Sequence, residues 1–179
     1  MSAASPAPIE PQRSAHGRSA VALVYVGSLA SVVLTLGDLP DPVASSFGAD
    51  GVARSFVARG AHTALVVGLA ATLPLLLLAA FSWLPRRFPQ LANLPNREAW
   101  LAPERRTEWF ARLDLAGAIV ASATALFIAA LHALLLDANA ERPPRLAHGP
   151  FFALVLGFLA TTLGTALWLR RSLRKPHRG

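Results

Sequence analysis

The side chains in this sequence that could do chemistry are few. Three of its five histidines, His62, His132 and His148, lie near the ends of apolar stretches. Imidazole groups in that setting could bind a borderline metal or respond to pH. No two of them have the close spacing of a zinc site, so the pattern predicts no metal and no cofactor. Acidic residues that could join them near one membrane surface are Asp38, Asp41, Asp50 and Asp137.

Catalytic motifs are not found in the sequence. It has no G-x-S-x-G nucleophile elbow, no P-loop and no dinucleotide fingerprint. Asp50-Gly51 is more typical of a turn than of a calcium loop, because the carboxylate repeat of such a loop is missing. We therefore predict no catalytic residue, and the interpretation as an enzyme is not favoured.

Four apolar runs must position these side chains. They span residues 20–37, 61–84, 113–136 and 150–169 in a chain that is 54% hydrophobic with a mean hydropathy of +0.45. A helix needs about 20 residues to cross a hydrocarbon core of about 30 Å. A soluble bundle would need helices with polar outer faces, and none of the runs has one. The sequence predicts an all-α membrane protein with a four-transmembrane-helix bundle.

Small residues recur every four positions in these runs. Examples are Gly117, Ala121 and Ala125 in the third run, and Ala153, Gly157 and Thr161 in the fourth. Helices associate in lipid through close packing of such residues, so we expect these ridges to face the bundle interior.

The basic residues predict an orientation. The two tails and the second loop hold 13 of the 17 Lys and Arg residues, and the other two loops hold 4. The positive-inside rule then places both termini and the second loop in the cytoplasm. The net charge of +7 is explained by topology, so no nucleic-acid partner is predicted. The predicted parts are a disordered cytoplasmic tail (1–19), a membrane domain (20–170) and a basic cytoplasmic tail (171–179).

The first run has an alternative interpretation as a cleaved signal peptide. Its 18 residues exceed the 7–15 apolar residues of a typical signal core. We therefore favour a retained membrane anchor.

The second loop predicts a short interfacial cytoplasmic helix. Pro103 suits the first position of a helix, and Glu104 suits the positive end of its dipole. Indole rings and guanidinium groups are favoured at the headgroup level. The alternative is a docking surface for a cytosolic partner. The residues predicted to anchor or dock this segment are Arg97, Trp100, Arg105, Arg106 and Trp109.

Two loops carry a resemblance to a known family. LPNREAWLAPERR at 94–106 and LPDPVASSFGADG at 39–51 are similar to the bacterial integral membrane domain of unknown function that forms the N-terminal part of SdpI-type immunity proteins. The resemblance covers residues 20–170 and implies a location in the bacterial inner (plasma) membrane. The family often has His where this chain has Ser46, and the four spans match a short form without the separate immunity domain.

The resemblance implies a non-enzymatic membrane protein that binds a partner or a peptide, in an immunity-like or sensor-like role. The alternatives are a small transporter or accessory subunit, and a membrane enzyme with an outer metal site. The expected partners are the lipid bilayer, a peptide or membrane protein, and further copies in a homo-oligomer. The ligand residues on the outer side would be Asp41, Phe47, Asp50, His62, His132 and His148.

Overall fold

Long helices dominate the structure, a computed structural model that describes residues 10–91, 100 and 102–174. The described residues are 79% helical, as an all-α fold predicts. A hairpin of two antiparallel strands joins the first two helices. In chain order the elements are α1 (Glu10–Leu34), a 3-10 turn (Leu36–Asp38), β1 (Val43–Phe47), β2 (Ala53–Val57), α2 (Arg59–Ser82), α3 (Leu84–Arg87), a 3-10 turn (Pro89–Leu91), α4 (Pro103–Ala140) and α5 (His148–Arg174).

Four segments of the described chain are long and apolar enough to cross a membrane. They are Gly17–Asp38, Arg59–Arg87, Arg105–Ala140 and His148–Leu173, and each contains one of the predicted runs. This result confirms the prediction of four spanning helices by length and composition.

Large apolar side chains point away from the protein along these helices. The exposed fractions are 73% for Leu23, 81% for Leu34 and 64% for Leu156. A soluble protein rarely exposes such continuous apolar surface. The outward faces therefore fit contact with lipid.

Helix α4 is the centre of the bundle and packs against α1, α2 and α5. The small residues Ala121 and Ala125 are buried on it, with 1% and 3% exposure. Gly117 allows the closest approach, because a Cβ atom there would lie 2.6 Å from Cβ of Phe81 on α2. The ridge predicted for the third span thus faces inward at Gly117, Ala121 and Ala125, whereas Ala133 at its far end is exposed.

The chain runs up and down through the bundle. We call the end that carries β1, β2 and residues 141–147 the hairpin end, and the end that carries Arg18, Asp114 and Leu173 the termini end. The Tyr25 hydroxyl on α1 donates to the Ala71 carbonyl on α2 at 2.8 Å, which ties these helices together inside the bundle.

Three boundaries differ from the predictions. Helix α1 begins at Glu10, so residues 10–19 are helical where a disordered tail is predicted, and residues 1–9 lie outside the described part. Helix α4 runs without a break from Pro103 to Ala140, so the predicted interfacial helix is the first part of the third span. In the C-terminal tail, residues 171–174 belong to α5 and residues 175–179 lie outside the described part.

Candidate binding surfaces

The loop between α1 and α2 folds into a β-hairpin. Its turn has Gly51 at φ 78°, a left-handed conformation that favours glycine. A Cβ atom on Gly51 would also lie 2.8 Å from the Leu146 carbonyl oxygen. The Asp50 carboxylate accepts a hydrogen bond from the Val52 amide at 3.1 Å and pairs with Arg54 at 3.5 Å. The backbone N–H of Val52 is the main cause that lowers the pKa of Asp50 below its ordinary value, with Arg54 adding to the effect.

The side chain of Asn139 joins β1 of the hairpin to the bundle. Asn139 on α4 accepts from the Ala44 amide at 2.8 Å and donates to the Ala44 carbonyl at 3.2 Å. It also donates to the Leu135 carbonyl, which fixes the amide on its own helix. Val43 and Ala44 have 0% exposure, so β1 is packed against the helices at this point.

Residues 142–147 brace the other side of the hairpin. The Ala53 amide donates to the Pro144 carbonyl at 3.1 Å, and the Leu146 amide donates to Gly51 at 2.9 Å. The Arg145 amide donates to the Ala138 carbonyl of α4 at 3.0 Å. The hairpin is therefore held from two sides and forms one unit with the end of the bundle.

Strand β2 presents an exposed face on this unit. Phe56 is 51% exposed and Val57 is 38% exposed. Three hydroxyl groups lie beside each other on the same hairpin: Ser55 Oγ is 2.7 Å from Ser46 Oγ and 3.4 Å from Ser45 Oγ. The hairpin thus carries an exposed aromatic ring and a group of hydrogen-bonding hydroxyls, a combination that suits recognition of a partner.

The residues predicted as outer ligands do not form one site. Asp41 accepts from the Arg59 amide at 3.1 Å, at the first turn of α2. Phe47 is half-buried on β1, Asp50 stabilises the turn, and the His148 ring lies next to Gly51. These residues help to fold the hairpin end, and this role was not predicted from the sequence.

The other two histidines are buried beneath the hairpin. His62 and His132 are 7% and 3% exposed, and the rings are near enough to interact electrostatically. Nε2 of His132 is 3.0 Å from the Thr35 hydroxyl, whereas Nδ1 of His132 and Nε2 of His62 have no hydrogen-bond partner among the described residues. Among the described residues, no group of three His, Cys, Asp or Glu side chains could hold a metal ion. The alternative of an outer metal site thus gains no support.

The tryptophans at the termini end are enclosed by protein. Trp100 and Trp109 are each 1% exposed and pack with Leu173. The Trp100 indole donates to the Leu173 carbonyl at 2.8 Å, and the Arg112 guanidinium lies 5.1 Å from the Trp100 ring centroid. The sequence predicted indoles at the lipid headgroups, but the structure places these two rings in a small core that holds the end of α5.

The remaining residues of the predicted anchor lie apart from this core. Arg106 is exposed, with its guanidinium 5.4 Å from the Phe110 ring centroid. Arg105 lies in the first turn of α4. Arg97 lies outside the described residues.

An apolar groove lies between α1 and α5, with α4 as its floor. Its volume is about 1430 Å³. Gly157 on α5 faces this open space, and a Cβ atom there would meet nothing within 4 Å. The small-residue ridge of the fourth span, predicted to face the bundle interior, therefore lines a groove. Charged residues, Arg18, Arg86 and Asp114, line it at the termini end.

Sequence reasoning missed two features of these surfaces. Asn139 lies beyond the predicted third span, which ended at residue 136, and was therefore treated as part of a loop. The hairpin had a usable signal, because Asp-Gly between two short segments that contain β-branched and aromatic residues indicates a turn that joins two strands. Asp50-Gly51 lies between VASSF and ARSFV, which become β1 and β2.

Comparisons with known proteins give no relative. No family model, no curated protein and no solved structure matches the chain.

Proposed function

We propose that this chain is a non-enzymatic membrane protein that binds a partner through the hairpin end. The observation that carries the proposal is the braced hairpin, whose β1 side is buried while Arg54, Phe56 and Val57 on β2 stay exposed. A loop that only connects two transmembrane helices does not need to form a braced hairpin. A rigid, exposed strand loses little conformational entropy when a partner binds, which favours recognition.

The chemistry of the exposed strand points to a polypeptide as the partner. The Phe56 ring offers apolar area, the serine hydroxyls offer donors and acceptors, and the Arg54 guanidinium offers a charge. Aromatic and arginine side chains contribute strongly to protein interfaces. The resemblance of the loops to SdpI-type proteins supports a peptide ligand and an immunity-like or sensor-like role.

The proposed setting is the bacterial inner membrane, with the hairpin outside and both termini in the cytoplasm. The distribution of Lys and Arg supports this orientation. The first turns of α4 would then lie at the cytoplasmic interface, where exposed Arg106 can reach lipid phosphates.

A photocrosslinking experiment tests the proposal. A benzophenone amino acid replaces Phe56 in the tagged chain, which is irradiated in its own membranes and analysed by mass spectrometry. The matched control carries the same group in place of Leu156, which is 64% exposed on α5. We expect a discrete peptide adduct at the Phe56 position alone. Equal yields at the two positions, or no adduct at the Phe56 position, would contradict the proposal.

A further inference from the structure

The groove between α1 and α5 has a strongly polarised lining. Most of its wall is apolar and includes Leu75, Leu126 and the packed rings of Phe127 and Phe158, whose centroids are 4.6 Å apart. Its volume of about 1430 Å³ exceeds the ~300–1,000 Å³ of pockets for drug-sized ligands. The space is therefore suited to a large, mainly apolar molecule.

The groove is also long. On its floor, the lining residues run from Asp114 to Ala130. At 1.5 Å per residue this stretch of α4 covers about 24 Å, which is more than one leaflet of a hydrocarbon core of about 30 Å. An extended acyl chain that enters at one end can be accommodated along its whole length.

The charges at the termini end leave an excess of one positive charge. Both carboxylate oxygens of Asp114 accept hydrogen bonds from Arg86, at 2.8 and 2.7 Å. This bidentate pair neutralises both groups. Arg18 lies within electrostatic range of Asp114, but within the described part of the chain no hydrogen bond or ion pair occupies its guanidinium. The groove thus offers one exposed cation next to an apolar channel.

We propose that this groove binds one anionic phospholipid, with its phosphate at Arg18 and an acyl chain along α4 towards Ala130. The occupant must bring a negative charge, because a basic group at the edge of the hydrocarbon region is favoured when it meets a phosphate. An uncharged transmembrane helix or the apolar face of a second copy would fill the groove and leave Arg18 without a counter-charge. The charged end of this site lies opposite the hairpin, so the charge requirement can be tested independently of the proposed peptide binding.

Native mass spectrometry of the full chain, released from nanodiscs that contain equal amounts of phosphatidylglycerol and phosphatidylcholine, tests the charge requirement. We expect the wild type to retain one lipid, with phosphatidylglycerol preferred by roughly fivefold, the factor for one basic side chain near an anionic surface. Arg18→Gln should bring the ratio close to one. Arg171→Gln is the matched control, because Arg171 is exposed on α5 at the same end and does not line the groove.

A second pair of variants tests the place of binding. Gly157→Leu puts a side chain into the groove, and Gly164→Leu puts the same side chain on α5 away from the groove lining. A Cβ atom at either glycine meets nothing within 4 Å, so both variants are expected to fold. We expect Gly157→Leu to lose the retained lipid and Gly164→Leu to keep it.

Three results would overturn the proposal. One is a folded wild type that retains no lipid, or retains the two lipids equally. Another is an equal loss of preference in Arg18→Gln and Arg171→Gln. The third is a lipid-free dimer whose crosslinks join the groove residue Leu126 of the two copies, which would assign the groove to a second copy of the chain.

Discussion

The side-chain amide of Asn139 pairs with both backbone groups of Ala44, as a neighbouring strand would. The Ala44 amide donates to Oδ1 at 2.8 Å, and Nδ2 donates to the Ala44 carbonyl at 3.2 Å. A buried edge strand needs partners for its backbone groups, because unpaired ones cost free energy. Asn139 provides them from a helix, so this residue of α4 fixes the β1 side of the hairpin.

Asn139→Ala should loosen the hairpin. The Ala44 N–H and C=O groups would be left without partners in a buried setting, at a cost of about 1–3 kcal/mol. The chain has no cysteine, so a thiol introduced by Val43→Cys reports on opening of this fully buried position. We expect Asn139→Ala to raise its rate of maleimide labelling by roughly tenfold or more.

Ser45→Ala is the control for this measurement. Ser45 lies on the same strand, but its hydroxyl contacts only Ser55 groups on the exposed side. When Ser45→Ala is added to the Val43→Cys protein, labelling should stay at the rate of Val43→Cys alone. If Asn139→Ala leaves the labelling rate of the introduced thiol as low as it is in the Val43→Cys protein alone, the pairing of the Asn139 amide with Ala44 does not hold the hairpin in place.

The helices could be predicted from the sequence because their signal is local. About 20 consecutive apolar residues can satisfy their backbone groups in lipid only as a helix, so composition alone indicates the spans. The hairpin was indicated just as locally by Asp50-Gly51, although this pair was interpreted only as a turn and the two flanking strands were not predicted. The contact that docks the hairpin on the bundle is not local in sequence, because Asn139 and Ala44 are 95 positions apart.

The tryptophans and the small-residue ridges show a second limit of prediction from the sequence. An indole ring is favoured where it has both apolar neighbours and a hydrogen-bond acceptor. Lipid headgroups meet this condition, and for Trp100 the Leu173 carbonyl in the protein core meets it as well. The ridge on α5 has the same spacing as the ridge on α4, but Ala153, Gly157 and Thr161 line a groove, whereas Gly117, Ala121 and Ala125 are buried against neighbouring helices. Which face of a helix meets a neighbour depends on the arrangement of all four helices.

Gly117→Ala should destabilise the bundle. The new Cβ atom would lie 2.6 Å from Phe81 Cβ, an atom that can move only with the backbone of α2. Overpacking of this kind costs about 1–3 kcal/mol, which exceeds the gain of about 1 kcal/mol from replacing glycine in a helix. Thermal unfolding in detergent, followed by tryptophan fluorescence, should show a lower Tm.

Gly68→Ala provides the comparison for Gly117. A Cβ atom at Gly68 meets nothing within 4 Å, so Gly68→Ala changes only the helix propensity, which favours alanine. The Tm should therefore stay equal or rise. A Phe81→Ala change leaves Cβ in place, so it should not rescue Gly117→Ala, whereas Phe81→Gly should do so in part. An unchanged Tm in Gly117→Ala would show that α2 and α4 are further apart than described.

Single cysteines test the orientation of the chain. Ser46 on the hairpin and Thr107 in the first turns of α4 are both exposed and lie at opposite ends of the bundle. Ser46→Cys should react with a membrane-impermeant maleimide in intact cells, and Thr107→Cys should react only after the cells are permeabilised. The reverse pattern would place the termini outside and would contradict the orientation inferred from the basic residues.

The Asp50 carboxylate should make the hairpin turn sensitive to acid. Its pKa is lowered below 3.8, first by the hydrogen bond from the Val52 amide and further by Arg54. A group whose pKa is lower in the folded state stabilises the fold above the unfolded pKa, and this stabilisation is lost as the pH falls through the folded pKa. The effect is therefore complete at neutral pH and disappears below about pH 3.8.

NMR of the Val52 amide in micelles measures this titration directly. We expect its nitrogen shift to change with a midpoint below 3.8 in the wild type. Asp50→Asn keeps an oxygen that can accept from Val52 but carries no charge, so the midpoint should vanish while the hairpin still forms. Because the turn holds Gly51 against Leu146, acid should also weaken that contact in the wild type and leave it unchanged in Asp50→Asn. A wild-type midpoint at or above 3.8 would show that the Val52 amide does not stabilise the ionised carboxylate.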